Sequence, residues 1–114
     1  MKSSSKPRVI QSYEKLSKEI QEQIKLYYSE GYMDNLIEFR NHNNELVSAL
    51  PFETDEKIYM VRMSIRKAQE LIEEDSDFDD DGNLLDSKRE RYEDKYSDLD
   101  YLVSDEDSDD DMDD

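Results

Sequence analysis

Aspartates alternate along Asp77-Phe78-Asp79-Asp80-Asp81-Gly82-Asn83-Leu84, which sets acidic oxygens at loop positions one, three and five, glycine at six and an apolar residue at eight. That is the opening half of an EF-hand, in which hard oxygen donors wrap calcium and glycine makes the sharp turn. The closing half departs from the pattern. Lys88 stands at position twelve, where a bidentate carboxylate should complete the shell, Glu90 falls two residues late, and no second hand follows. The loop is therefore expected to be an acidic linker of hydrated aspartates, with calcium binding through Asp77, Asp79 and Asp81 as the alternative chemistry.

Carboxylates continue to the end of the chain. Residues 75–114 hold 19 acids against four bases, about −15 of the net charge of −17, whereas residues 1–74 hold 13 acids and 11 bases. The acidity is thus a regional feature, of the kind that steers toward a cationic surface and repels phosphate. Contact with a basic surface on a protein partner is the expected role. Mimicry of nucleic acid toward a nucleic-acid-binding protein is an alternative, while direct nucleic-acid binding is not expected. Ser104 and Ser108, each followed by acids, are possible phosphorylation sites.

Catalysis has little to draw on. The single histidine, His42, falls among turn residues, and no nucleophile, glycine-rich phosphate loop or paired histidine accompanies it. Adjacent solvated carboxylates do not make an acid and base pair, because nothing buries one of them and raises its pKa. A non-enzymatic protein is expected. With no cysteine there is neither a disulfide framework nor a thiolate, and only Val9 and Ile10 follow the basic N-terminus where a secretory signal needs about 7–15 apolar residues. A cytoplasmic chain, without a membrane span, fits these features.

Tyr92, Tyr96, Leu99 and Val103 are spaced four, three and four apart, which gathers them on one stripe of a helix starting at a capping box, Ser87-Lys88-Arg89-Glu90. Such a stripe either covers the protein's own sheet or anchors in a partner's groove. The four residues are the candidate partner-binding set.

The elements that must position these groups follow from periodicity. Leu16, Ile20, Ile24 and Tyr27 form an apolar helical stripe, with Ser17 as cap after a short turn begun at Ser12 and Gly31 at its end. Three strands are predicted over 35–40, 46–52 and 58–63, joined by His42-Asn43-Asn44 and by Thr54-Asp55-Glu56, an antiparallel meander in which Pro51 forces a bulge or an end. Ser64 caps a second helix carrying Ile65, Ala68, Leu71 and Ile72 on one side. Alternation places Leu36, Leu46, Leu50, Phe52, Ile58 and Met60 on the sheet's other face, calling for a second cover, either the third helix or another copy of the chain.

The set Tyr13-Glu14-Lys15-Leu16, Ile37-Glu38-Phe39-Arg40-Asn41, Val47-Ser48-Ala49-Leu50-Pro51-Phe52-Glu53-Thr54, Tyr59-Met60-Val61-Arg62-Met63 and an acidic, tyrosine-rich end resembles a family of small acidic bacterial proteins of uncharacterised function. The resemblance covers residues 9 to about 103 and implies a shared fold without catalytic residues. Some similar short proteins are labelled DNA primase. This chain lacks the zinc-ribbon pattern and the buried acidic cluster that primer synthesis requires for its metal ions.

The expected organisation is α+β. Residues 1–8 form a flexible start, 9–74 a domain of two helices on a three-stranded antiparallel meander, and 75–86 an acidic loop. An amphipathic helical segment over 87–103 and a disordered acidic tail over 104–114 complete the chain.

Overall fold

In the computed structural model, which describes residues 6–102, three helices and a four-stranded mixed sheet form an α+β fold. The strands are β1 (Arg8–Ser12), β2 (Ile37–Arg40), β3 (Leu46–Glu53) and β4 (Ile58–Arg62), in the order β1-β4-β3-β2. The helices are α1 (Lys18–Tyr27), α2 (Ile65–Glu73) and α3 (Asp86–Lys95).

The expected meander is present as β2-β3-β4, but it is not the whole sheet. Arg8 pairs with Ile58 and Ser12 with Arg62, so β1 lies parallel to β4 and makes the sheet mixed and four-stranded. The expected three-stranded antiparallel sheet is corrected accordingly, and Arg8, expected in a flexible start, already belongs to a strand. Parallel pairing leaves no turn signal to read, because its two strands must be joined by a long crossover. Here α1, β2 and β3 all intervene.

Local chemistry sets the remaining boundaries. Ser17 Oγ accepts the Ile20 N–H at 3.2 Å and Ser64 Oγ that of Lys67 at 3.0 Å, each satisfying a donor in the first turn of its helix. Asn44 takes a positive φ of 66° in the β2–β3 turn, where Asn41 Oδ1 accepts from Asn43 and Glu45 N–H. Pro51 neither bulges nor ends β3, since Phe52 and Glu53 continue the ladder. Met63 N–H donates to Ser48 O, so the alternate residues 48, 50 and 52 face their polar groups toward β4, and Pro51 turns away from it. On that side β2 has already ended opposite Ala49, and the Tyr28 hydroxyl donates to Pro51 O. A missing N–H costs nothing there.

Register decides the two faces. Leu50 stands opposite Val61 and Phe52 opposite Tyr59, and these share a core with Tyr13, Leu16, Ile24, Tyr32, Met63 and Ala68 under the helices. Leu36 packs against the same core. Ile37, Phe39, Val47, Ala49, Ile58 and Met60 point the other way, which corrects the expected face of Leu36, Leu50 and Phe52. Fully burying side chains such as Ile24, Leu50 and Phe52 stabilises the fold by about 1.5–3 kcal/mol each.

The core runs past residue 74. Phe78, Leu84, Tyr92 and Tyr96 are buried in the same cluster, so the acidic segment as far as Leu102 folds onto the body. Val103 and the expected tail over 104–114 lie outside the described residues. No helix among the described residues is long and apolar enough to cross a membrane.

Candidate functional site

The acidic segment is fastened to itself and to α1 by tyrosine hydroxyls. Tyr92 donates to Asp77 Oδ2 at 2.7 Å, Tyr96 to Glu22 Oε1 at 2.6 Å and Tyr101 to Gln23 Oε1 at 2.7 Å. Lysines complete the charge balance: Lys25 Nζ lies 2.8 Å from Asp75 Oδ2 and 3.0 Å from Asp77 Oδ2, and Lys95 Nζ lies 2.8 Å from Glu22 Oε1. Burial pushes the Asp77 carboxyl up, but the Tyr92 and Lys25 donors and the nearby ammonium charges outweigh it and hold Asp77 below the usual carboxylate range. Glu22 is lowered the same way, burial being outweighed by Lys95 and Tyr96. Lys25 is raised, its desolvation overcome by Asp75 and Asp77.

These contacts place each residue singled out from the sequence. Tyr92 and Tyr96, expected to bind a partner, are 6% and 8% exposed and act as interior struts. Leu99 packs against the core from its edge. Of the two expected roles, cover for the sheet or anchor in a partner's groove, the stripe is nearer the first, but its tyrosines meet the acidic loop and α1. The helix starts at Asp86 with Leu85 as its cap residue, two positions ahead of the expected cap Ser87.

Asp77, Asp79 and Asp81 are not gathered into a ligand set. Asp77 turns inward to Tyr92 and Lys25, with Lys88 Nζ 3.6 Å from its Oδ1, so the residue at loop position twelve brings a cation where a calcium shell needs a carboxylate. Asp79 Oδ1 accepts the N–H groups of Asp81 and Asn83, holding the turn that Gly82 permits at φ 85°, while Asp80 and Asp81 face solvent. Among the described residues no three His, Cys, Asp or Glu side chains are grouped to hold a metal ion.

The outward side of this loop builds a different feature. A pocket of about 480 Å³ opens between the loop, α2 and the short turn Met33–Asn35. Its floor is apolar: Tyr32, Ala68 and Phe78 are buried, and Met33 and Ile72 flank them. Around it stand the exposed carboxylates of Glu30, Asp34, Glu73, Asp79, Asp80 and Asp81, with no lysine or arginine in the lining. Gly31 and Gly82 bring the two walls together, since a Cβ on Gly31 would meet Gly82 O at 3.6 Å and its φ of 104° excludes an unstrained L side chain.

Sequence reasoning found the acidic wall of this pocket and missed the other. Tyr32, Met33 and Asp34 lie in a stretch between α1 and β2 where no periodicity marks them. The signal that could have found them is Gly31 beside a large aromatic, a turn that must deliver Tyr32 to the core. The six carboxylates repel anions and favour cations, and the apolar floor favours an aliphatic stem, so together they suit the side chain of arginine or lysine. The chain matches no protein-family model, and neither a curated protein nor a solved structure matches it.

Proposed function

We propose that this is a non-enzymatic, cytoplasmic interaction protein whose acidic region receives a basic surface of a protein partner. The observation that carries the reading is the pocket with a buried aromatic floor and six exposed carboxylates around it. A pocket of this volume falls within the range of small ligand sites, about 300–1,000 Å³, and takes one or two side chains of a protein. Its chemistry favours arginine, whose planar head can bridge two carboxylates while its stem lies on Met33 and Ile72. The sequence adds eight further acids over residues 105–114, which extend the anionic field beyond the pocket and speed encounter with a cationic partner.

The test uses a synthetic peptide alternating arginine with leucine, and an acidic counterpart of the same length. Full-length protein should bind the basic peptide alone, with affinity that falls steeply as salt is added. The substitutions Asp34→Asn, Asp80→Asn and Asp81→Asn together should weaken binding at least tenfold. These three side chains are exposed, so the fold should be kept. Binding that survives the triple substitution and is lost only on deleting 104–114 would assign the contact to the tail and remove the pocket from it.

A further inference from the structure

The sheet is covered on one side only. The opposite face is a grid fixed by register: Arg8, Ile58 and Glu53 in one row, Ile10, Met60 and Pro51 in the next, then Ser12, Arg62, Ala49 and Ile37, and last Val47 and Phe39. None of these side chains belongs to the core beneath the helices. Ile10 is 47% and Ile37 41% exposed, Phe39, Val47, Pro51 and Ile58 are half-buried, and Ala49 and Met60, at its centre, are buried. Antiparallel strands with one wet face ordinarily alternate apolar with polar residues. Here apolar residues occupy both faces, and those of this one lie outside the core formed with the helices.

We infer that this face is the contact between two copies of the chain. Two features of the grid favour a second copy over another occupant. First, its charges complement themselves. Arg8 and Glu53 flank Ile58 in one row on opposite sides of β4, about 10 Å apart by strand spacing. A twofold axis along β4 sets each Arg8 against the partner's Glu53, Ile58 and Met60 against their own counterparts, and Ile10 against Pro51, so a single patch closes on itself. Within its own chain Glu53 already holds Lys6, 2.6 Å from Oε2, and its side chain stays half exposed. Arg62 lines the groove beyond the end of β1 with Lys15 and Lys67, which gives its guanidinium an exit from the twofold axis.

Second, this face has a charge unlike that of the molecule. Two arginines and one glutamate stand on it, in a chain with net charge −17 of which about −15 comes from residues 75–114. Two such chains repel less across it than across their acidic regions. With the axis along β4 the strands β1, β4 and β3 overlap; at about 4.8 Å between strands and 3.3 Å per residue, three strands and the length of β3 give at most roughly 380 Å² in plan on each copy, the size of a small transient contact. The dimer is accordingly weak and concentration-dependent. Aligned packing of the two sheets, near −30°, suits a twofold parallel to the strands.

Sedimentation equilibrium of the full-length protein over a range of concentrations and two salt levels tests this. The mass should climb from the 13.6 kDa of one chain toward twice that value, and more readily at high salt, where repulsion between the acidic regions is screened. Ile10→Lys with Ile58→Lys should restore the single-chain mass with unchanged far-ultraviolet circular dichroism, Ile10 being exposed and Ile58 half-buried on the overlapped strands. Arg8→Glu should weaken association, and adding Glu53→Arg should recover it. A single-chain mass at every concentration and salt level would overturn the inference, as would a dimer undiminished by the two lysines. Salt also separates this contact from the pocket: binding of the basic peptide weakens with salt while self-association strengthens, and Asp80→Asn with Asp81→Asn should leave the dimer intact.

Discussion

Tyr92 and Asp77 meet inside the protein, the hydroxyl donating to Oδ2 at 2.7 Å, although both come from the acidic part of the chain that composition marks for solvent. Their bond ties α3 to the acidic loop, and Lys25 ties the same carboxylate to α1. The segment that carries most of the negative charge is therefore held in shape by a minority of its own carboxylates. Asp79, Asp80 and Asp81 face outward around the pocket.

Removing that hydroxyl should loosen the segment without unfolding the sheet. Tyr92→Phe keeps the buried ring and leaves Asp77 with Lys25 and Lys88, so the loss should be about 1–3 kcal/mol, as for a hydrogen bond to a charged group. Urea unfolding followed by circular dichroism measures it. A midpoint unchanged from the parent protein would show that the bond contributes nothing net.

Stability should fall at both ends of the pH scale. Asp77 and Glu22 have folded pKa values below their ordinary ones, so their contribution is complete above the usual carboxylate range near 4 and is lost as pH drops through it toward the lowered values. Tyr92 is pushed up to about 12 by burial and by Asp77, so its contribution is complete below the ordinary tyrosine value near 10 and is lost as pH climbs through the raised one. Urea midpoints across the pH range check both limbs. Tyr92→Phe should shrink the alkaline loss, and Asp77→Asn should shrink the acid loss. Parent and variants with superimposable profiles would contradict the assignment.

Calcium should find no site in the loop. Calorimetry is expected to give only weak, salt-sensitive heat, because Asp77 is committed to Tyr92 and Lys25 and the ammonium of Lys88 lies beside it. Saturable micromolar binding at one site, abolished by Asp81→Asn, would show that the loop can rearrange into a ligand set.

Much of this architecture is legible locally. The serine caps at Ser17 and Ser64, the asparagine turn and three of the four strands follow from residues within a few positions of one another. β1 is hidden because Arg-Val-Ile-Gln-Ser holds two apolar residues and finds its partner 50 residues further along the chain. The two faces of the sheet were confused for a related reason. Both Leu50 and Ala49 are apolar, as are Val61 and Met60, so alternation alone cannot say which parity meets the helices, and register is settled by long-range pairing. The tyrosine stripe shows the same limit. Its spacing puts Tyr92 and Tyr96 on one side of the chain, but Glu22, which receives Tyr96, lies on a helix near the other end of the sequence.

The pocket itself is tested most directly by amide chemical shifts of labelled full-length protein as the arginine–leucine peptide is added. If the pocket is the contact, shifts concentrate at Gly31, Met33, Asp34 and the loop from Asp79 to Gly82, and they vanish with Asp34→Asn, Asp80→Asn and Asp81→Asn. Shifts confined to residues 105–114, with the pocket amides unmoved, would contradict it.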